Sequence, residues 1–407
     1  MQDVVEGYTK PGHVPETLFV AGNIWEQLGD HPHARLKAIA AGRPLVYLER
    51  HNHQGHSPAG AWLACSAEAN RQILMDAQTF PSSAATIFGK MLGGLKFFPV
   101  EVDPPDHAKY RALFAPFFKP AVVNAMKDKI TARVDELIDV LAPKGGCEFI
   151  SEFSRIFPAS IFIDMAGLPH ARADEFLAWA RTALDQNQPA DAKTAALLRI
   201  RDYLAEEIRA RRDRPRDDML STIANAQIDG ERISVDDATG GAIVLFIAGM
   251  DTVANLLGWV FLQLASDPGL QARLRAEPSI LPGALEEMLR FFSPVTVSRR
   301  AARDADVCGV RIKAGDTVCC SMTLASRDEA EFPNPDTLNV DAPAQRHLAF
   351  GFGPHLCLGM HLARLEATVV LQRWFTRVPP FRVVPGSLIR RRGAGVLGVD
   401  ELPLTWT

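Results

Sequence analysis

The chain has 407 residues, of which 47% are hydrophobic and 23% charged, as in ordinary globular proteins that bury a sizeable core. A net charge of -4 and a pI near 6.3 provide no general attraction to nucleic acid or anionic membranes. The polar N-terminus has no signal-peptide core, and the longest apolar run is too short to span a bilayer. We therefore expect a cytoplasmic protein with no nucleic-acid or membrane partner.

Helical periodicity dominates the chain. Apolar residues recur at the spacing of one helix face in several segments, one of which follows Cys357. The predicted helices are Pro120–Leu141, Ala171–Leu184, Ala190–Arg212, Ser234–Ser266, Pro282–Phe292 and 358–378. Ser234 and Asp237 predict the N-terminal cap of the fourth helix. The arginine-rich stretch 208–218 is predicted to be a solvated helix end.

Strand-like segments are fewer and shorter. The sequence predicts strands at 44–49, 60–65, 381–384 and 402–406, and a hairpin over 307–320 with KAGD as its turn. No repeat of 20–50 residues and no long low-complexity linker divides the chain. We therefore predict a single domain over residues 1–407, mainly α with a small β portion.

Six cysteines lie at positions 65, 147, 308, 319, 320 and 357, without a CxxC pair. This spacing is typical of neither a disulfide framework nor a zinc ribbon, and it fits a reducing cytoplasm. Five of the cysteines are predicted to be small buried hydrophobic residues. Cys357 differs because its surroundings, FGFGPHLCLG, combine glycines, a proline and bulky apolar residues.

Three kinds of site could use this stretch. A dinucleotide-binding loop requires GxGxxG after a strand, but Leu356 occupies the third glycine position. Zinc would use His347, His355, Cys357 and His361, which lack the paired spacing of tetrahedral sites and stay open only as an alternative. The third kind of site is a loop that presses one thiolate against a large flat cofactor.

The third kind of site explains the most residues. Gly351 and Gly353 allow a tight turn and a close approach to a partner. A helix starting at Leu358 would place Cys357 just before a helix N-terminus, where a thiolate is stabilised. A thiolate among apolar side chains such as Phe350 needs a metal partner, and haem iron is one.

A second unusual stretch lies in the predicted central helix. Its segment 240–250, GGAIVLFIAGM, is apolar on every face, which predicts a helix through the core. Asp251 and Thr252 follow, and burying an acid and a hydroxyl there is costly unless they are paired, which favours a functional role. Thr252 is predicted to donate to the carbonyl of Ala248, and Gly249 to ease the local distortion.

Taken together, these stretches resemble the cytochrome P-450 family. The haem signature FxxGxxxCxG matches Phe350, Gly353, Cys357 and Gly359. Three further family motifs, [AG]GxDT, ExxR and HxxxR, match 248–252, Glu287 with Arg290, and His107 with Arg111. The spacing of the central-helix, ExxR and cysteine motifs is similar to that of the bacterial camphor-hydroxylase-like subgroup.

The resemblance implies the P-450 fold, with haem b between the central helix and the helix after the cysteine loop. Cys357 would be the iron ligand, in a haem-contacting loop that includes Phe350 and Gly351. Two basic pairs would bind the haem propionates: His107, Arg111, Arg299 and His355.

The ExxR pair is implied to be a structural brace. Glu287 and Arg290 lie three residues apart and so share a helix face. The arginine that usually completes the brace in the family would fall near Thr337 or Leu338. The brace is therefore predicted to be a pair, or to be completed by Arg346.

The implied activity is that of a monooxygenase in which Asp251 and Thr252 deliver protons. Electrons would come from a separate two-iron, two-sulfur ferredoxin and its NAD(P)H-dependent reductase, because no such segment is fused to the chain. The ferredoxin is expected to dock through a basic patch that includes Lys109 and Arg71. The protein itself is expected to be a monomer.

The resemblance also indicates an apolar substrate pocket, formed by Leu95, Val244, Ile247, Ala248, Val295, Val297 and Val396. Camphor-hydroxylase relatives place a tyrosine near Leu95 or Lys96, but no tyrosine occurs between Tyr47 and Tyr110. Lys96 is expected to be solvated. We therefore expect a small hydrocarbon-like substrate, a monoterpenoid or norisoprenoid, and weak binding of camphor.

Two other functions stay open. A peroxide-driven peroxygenase and a non-catalytic haem-thiolate sensor would both retain Cys357. Neither requires Asp251 and Thr252, so the presence of both residues favours the monooxygenase.

Overall fold

The computed structural model describes residues 9–25, 28–50, 60–85, 92–185, 188–343, 345–393 and 395–406. Its helices are α1 (Pro32–Ala40), α2 (Ala67–Met75), α3 (His107–Phe114), α4 (Pro120–Ala125), α5 (Lys127–Leu141), α6 (Ile156–Ala166), α7 (Ala173–Leu184), α8 (Ala190–Asp213), α9 (Met219–Ala224), α10 (Val235–Ser266), α11 (Pro268–Ala276), α12 (Leu281–Phe292), α13 (Met322–Ala325) and α14 (Met360–Arg377). The predicted mainly α class is confirmed.

The strands are short. They are β1 (Phe19–Val20), β2 (Leu45–Leu48), β3 (Ala61–Ala64), β4 (Gly146–Glu148), β5 (Gln227–Ile228), β6 (Glu231–Arg232), β7 (Thr296–Arg300), β8 (Ala305–Val307), β9 (Val310–Ile312), β10 (Thr317–Ser321), β11 (Arg382–Val383), β12 (Arg390–Arg392), β13 (Gly398–Glu401) and β14 (Pro403–Thr405). The four isolated strands predicted from the sequence each contain one of these elements.

The predicted hairpin over 307–320 is wrong in its pairing. Strand β8 pairs with β9, so that Val307 faces Val310 across a two-residue turn. That turn is Cys308-Gly309, with φ values of 49° and 79°, the left-handed geometry that tight hairpins require. Strand β10 lies beyond KAGD and pairs instead with β7 and β3.

Most predicted helices occur close to their predicted ends. Ser234 caps α10, because its Oγ accepts the N–H of Asp237 at 2.9 Å. The predicted helix over 120–141 is interrupted at Met126 and forms α4 and α5. Periodicity gave no signal for α6, because eight of its eleven residues are buried and no polar face remains.

The chain forms two compact units. The first comprises the described parts of Met1–Ile87, Glu286–Cys357 and Arg391–Gly398. Its five-stranded sheet has the order β1-β2-β3-β10-β7, with β10 parallel to β3 and antiparallel to β7. Trp62, Val318 and Cys320 belong to the core of this unit, together with residues of α2 and α13.

The second unit comprises the described parts of Phe88–Leu285, Leu358–Arg390 and Val399–Thr407. Helix α10 contributes much of its core, together with residues of α6, α7 and α8. By length and composition α10 is apolar enough to cross a membrane, but 61% of its most apolar window is buried inside the protein. Such burial is that of a core helix.

The prediction that the arginine-rich end of α8 is a solvated helix end is wrong at Arg211. The Arg211 side chain is fully buried. Its guanidinium donates to the Asp218 carboxylate at 2.9 Å and to the carbonyl of Gly167 at 2.8 Å. A buried charge needs such pairing, and here it ties the end of α8 to the end of α6.

Candidate active site

The cysteine loop turns through two left-handed glycines. Gly351 has φ 77° and Gly353 has φ 74°, a region that favours glycine. Gly353 also lies against α2, because a Cβ there would be 2.6 Å from the carbonyl oxygen of Leu74. A short 3-10 turn, Gly353–His355, follows, and the N–H of Cys357 donates to the carbonyl of Phe350 at 2.9 Å.

Cys357 is the exposed member of the six cysteines, all of which are described. Burial raises the pKa of Cys65 and of Cys320 to about 12, and that of Cys319 still higher. Burial also raises the pKa of Cys147 to about 12. A thiolate is strongly disfavoured at these positions, and the donor chemistry of an iron ligand therefore fits Cys357.

Helix α14 starts later than predicted. It begins at Met360, with Gly359 as its N-cap, rather than at Leu358. Cys357 therefore lies three residues before the helix in the chain. The difference arises because the left-handed glycines and the 3-10 turn extend the loop up to the cysteine.

One stripe of α10 stays accessible although the rest of its middle is buried. Between residues 240 and 260 the accessible positions are Val244, Ile247, Ala248, Gly249, Asp251, Thr252 and Val253. Five of them follow the i, i+3, i+4, i+7, i+8 spacing of one helix face. That face carries the predicted proton-delivery pair and three of the predicted pocket residues.

Thr252 and Asp251 both bond within the helix. Thr252 Oγ1 donates to the carbonyl of Ala248 at 3.1 Å, as predicted. The Asn255 amide donates to Asp251 Oδ2 at 2.7 Å and to the Asp251 carbonyl at 2.9 Å. Side chains therefore compete for two main-chain carbonyls within one turn, an arrangement that distorts helices locally.

Close packing against α6 requires a glycine at position 249, in addition to the predicted local distortion of the helix. A Cβ at this position would lie 2.9 Å from the ring of Phe162 on α6. The glycine therefore allows α6 and α10 to approach closely beside Ala248 and Thr252. Sequence reasoning attributed it only to local distortion of the helix.

Two of the four predicted propionate ligands lie one turn apart on α3. His107 is buried and Arg111 half-buried, both in the second unit. Burial, and then the Arg111 cation, lowers the pKa of His107. Arg299, buried on β7, and His355, at the end of the 3-10 turn, belong to the first unit.

The predicted pocket residues fall into two sets. In the first unit, Val295 and Val396 form an antiparallel bridge, and Val297 lies on β7. In the second unit, Leu95, Val244 and Ile247 are partly buried and pack against the core, while Ala248 is exposed on α10. Of the loop 87–102, residues 87–91 lie outside the described residues. Lys96 is exposed, as expected.

The ExxR pair forms a buried bidentate salt bridge between Glu287 and Arg290. Two of the three guanidinium nitrogens of Arg290, Nε and Nη2, donate to the Glu287 carboxylate, each at 2.7 Å. The prediction of an isolated pair, or of completion by Arg346, is wrong, because main-chain groups between residues 326 and 339 complete the brace. Arg290 also donates to the carbonyls of Ser326 and Pro335, each at 2.9 Å. The N–H of Asn339 donates to Glu287 at 2.9 Å.

The predicted docking cations are both engaged in ion pairs. Lys109 is exposed and bonds to Asp229, with Asp106 at 3.4 Å. Arg71 makes a two-pronged bond to Glu331 and lies 5.7 Å from the ring centre of Phe352. The net positive charge around each of these two positions is therefore smaller than the cation alone would give.

Sequence reasoning missed several buried charged groups. Arg327 is buried beside the ExxR brace, and burial lowers its pKa to about 10. Glu366 on α14 is also buried, and its burial raises its pKa to about 8. Among the described residues, no three His, Cys, Asp or Glu side chains are grouped to hold a metal ion, so the zinc alternative has no support.

Comparison with known proteins finds a matching family model and similar proteins that cover nearly the whole chain. A family model described as Cytochrome P450 matches residues 188–383. A probable cytochrome P450 127A1 from Sinorhizobium fredii is 34% identical over 97% of this chain and 96% of its own. A vitamin D(3) 25-hydroxylase from Pseudonocardia autotrophica is 31% identical over 98% of both chains.

Solved structures agree with the sequence relatives. The crystal structures of CYP101J2 and of cytochrome P450 CYP101C1 each superpose with a TM-score of 0.86 at 29% identity, covering 98% of this chain and all of theirs. Their shared CYP101 designation is consistent with the predicted camphor-hydroxylase-like subgroup. The chain therefore has the cytochrome P450 fold, binds haem b and belongs to the cytochrome P450 family.

Proposed function

We propose that this chain is a haem-thiolate monooxygenase that hydroxylates a small apolar substrate with dioxygen and electrons from a separate ferredoxin. The observation that carries the proposal is the accessible stripe of α10, which places Asp251 and Thr252 one turn from Ile247 and Ala248. An acid and a hydroxyl therefore adjoin an apolar surface on a helix that is otherwise buried. This combination suits proton delivery beside an apolar substrate.

Bound haem supplies the oxygen activation and the one-electron chemistry. In the proposal Cys357 ligates its iron, and Phe350 and Gly351 form the surrounding loop. Two pairs of basic residues, His107 with Arg111 and Arg299 with His355, would donate hydrogen bonds to the haem propionates. We propose that the haem lies between α10 and α14 in a single domain spanning 1–407, a span supported by relatives that match 97% of the chain.

Two side chains of α10 move protons in the proposal. The Thr252 hydroxyl is held by the carbonyl of Ala248, so its lone pairs are available to a water or to the reacting oxygen. The Asp251 carboxylate is oriented by Asn255 and can exchange protons with solvent, because it is only half-buried. Proton transfer thus proceeds from Asp251 toward Thr252.

The proposed substrate is a monoterpenoid or norisoprenoid. The pocket residues are all apolar, and Leu95 stands near the place where the camphor-hydroxylase relatives carry a tyrosine. An apolar pocket discriminates by shape, about 1–3 kcal/mol for each methylene. Camphor is therefore expected to bind weakly, because its ketone would have no fixed donor.

The electron donor is proposed to be a two-iron, two-sulfur ferredoxin with an NAD(P)H-dependent reductase. The basic patch proposed for its docking includes Lys109, which is exposed, and Arg71, which is partly accessible. Six free cysteines support a reducing compartment, the cytoplasm. We propose that the protein is a monomer.

The proposal is tested by reconstitution with ferredoxin, reductase, NADH and candidate substrates. The ferrous carbon monoxide complex should show the red-shifted Soret band of a thiolate ligand, and Cys357→His should abolish it. Ionones, cineole and limonene should shift the haem from low to high spin more completely than camphor does. Product formed only with peroxide would favour a peroxygenase, and binding without turnover would favour a sensor.

A further inference from the structure

The His347 imidazole makes two hydrogen bonds in the first unit. Its Nε2 lies 3.2 Å from Oε2 of Glu286 on α12. Its Nδ1 accepts the main-chain N–H of Ala349 at 3.2 Å. Only 4% of the His347 side chain is exposed, against 27% of the Glu286 side chain, so the ring is buried while its partners are partly accessible.

The two bonds define the tautomer of the ring. The N–H of Ala349 can only donate, so Nδ1 must present its lone pair. The proton of the neutral ring is therefore on Nε2, where it donates to the Glu286 carboxylate. One imidazole thus links the helix α12 to the chain that leads into the cysteine loop.

The link continues to the cysteine. Ala349 directly precedes Phe350, whose carbonyl accepts the N–H of Cys357 at 2.9 Å. The N–H of Gly351 donates to the carbonyl of Leu348 at 2.8 Å, which closes the turn between them. Fixing the position of Ala349 therefore limits the movement of the Phe350 carbonyl that accepts the N–H of Cys357.

This link is separate from the ExxR brace. Glu287 bonds to Arg290 and to the N–H of Asn339, whereas Glu286 bonds to His347. Two adjacent acids on one helix therefore hold two different segments of the chain before Cys357.

We propose that His347, oriented by Glu286, is a positioning residue for the thiolate loop. The proposal rests on the proposed ligation of haem iron by Cys357. Without the imidazole, the N–H of Ala349 would lose its buried acceptor, and the Phe350 carbonyl that holds the cysteine would be less restrained. Ligation of the iron by the Cys357 thiolate should then be lost before the protein unfolds.

The measurement follows ligation and fold together. Haem-loaded protein, reduced and saturated with carbon monoxide, is heated while the red-shifted Soret band and the far-ultraviolet circular dichroism are recorded. In His347→Ala the band should be lost about tenfold faster than in wild type at a fixed temperature, which corresponds to about 1.4 kcal/mol. Helix content should remain at the wild-type value during that loss.

Two conservative variants distinguish the contribution of the bond to Ala349 from that of the bond to Glu286. His347→Asn retains an acceptor near the position of Nδ1 and should preserve the bond to Ala349. His347→Gln retains a donor near the position of Nε2 and should preserve only the bond to Glu286. If restraint of the loop matters, His347→Asn should lose the band more slowly than His347→Gln.

The matched control is His170→Ala, which removes another histidine–carboxylate pair, with Asp164 at 2.7 Å on the surface of the second unit. It should leave the rate of band loss unchanged. Glu286→Ala should accelerate the loss in wild type but add little in the His347→Ala background, because both changes break one link.

The outcomes separate the inference from the proposed function. A wild-type protein without the red-shifted band would overturn both the Cys357 ligation and the positioning role. A wild type with the band, but a His347→Ala variant that loses it at the His170→Ala rate or only together with helix content, would overturn the positioning role alone. Additive effects of Glu286→Ala and His347→Ala would also overturn it.

Discussion

The main chain of Lys96 packs directly against Gly240 of α10. A Cβ at Gly240 would lie 2.1 Å from the Lys96 carbonyl oxygen and 3.0 Å from its carbonyl carbon, distances that backbone atoms cannot relieve without moving. The glycine therefore sets how closely the segment containing Leu95 approaches the helix that carries Val244 and Ile247.

Gly240→Ala should displace the segment around Lys96 and weaken substrate binding. Overpacking of this kind costs about 1–3 kcal/mol, and the substrate-induced spin shift should require a higher substrate concentration. Gly283→Ala on α12 is the control, since a Cβ there meets nothing within 4 Å. It should be neutral or stabilising. Equal behaviour of both variants in spin-shift titrations would contradict the close approach.

Arg290→Ala should destabilise the protein strongly and reduce its haem content. It leaves the buried Glu287 carboxylate without its cation, a change that costs about 3–5 kcal/mol. Arg273→Ala removes an exposed pair with Glu277 at 3.7 Å, and about 0–1 kcal/mol is expected there. Denaturant unfolding of the two variants provides the comparison, and similar losses would show that the brace is not a buried ion pair in solution.

Glu366 predicts a pH-dependent stability. Burial raises its pKa in the folded protein from 4.5 to about 8, so the folded state binds the proton more tightly than the unfolded state does. This contribution is complete below the unfolded pKa and is lost as the pH rises through about 8, at about 1.4 kcal/mol per pKa unit.

Glu366→Gln, which stays neutral, should therefore match wild type near about pH 4 and become the more stable protein above about pH 8. Glu206→Gln, at an exposed position on α8, serves as the control and should show no such divergence. Thermal unfolding across this pH range checks the prediction. Parallel curves for wild type and Glu366→Gln would mean that the carboxyl is hydrated.

Charge reversal at the proposed docking patch should weaken electron transfer. Lys109→Glu should raise the apparent KM for ferredoxin and leave kcat nearly unchanged, because exposed charges act mainly on association. The wild-type rate should fall with ionic strength. Since Arg71 is held by Glu331, Arg71→Glu should also disturb that pair. Salt-independent kinetics would point to apolar docking.

Local patterns allowed much of the site to be predicted from the sequence. The cap at Ser234, the bond from Thr252 to Ala248 and the ExxR pair all join residues three or four apart, so helix geometry alone specifies them. Left-handed glycines around the cysteine follow equally from a tight loop.

Long-range pairings could not be predicted in this way. Strand β10 pairs with β7 rather than with its neighbour in sequence, because a two-residue turn at Cys308-Gly309 closes the hairpin earlier. Two hydrogen bonds, from the N–H of Asn339 to Glu287 and between His347 and Glu286, join residues about fifty or more positions apart. No local periodicity encodes such contacts.

The coupling of oxygen consumption to product in Thr252→Ala tests the central claim most directly. Thr239→Ala is the matched control, because Thr239 makes the same type of bond, to the carbonyl of Val235 at 2.7 Å, but is buried away from the accessible stripe. In the reconstituted system, Thr252→Ala should bind substrate normally and divert most reducing equivalents into hydrogen peroxide, while Thr239→Ala stays coupled. Wild-type product yield per NADH in Thr252→Ala would contradict the proposed proton delivery.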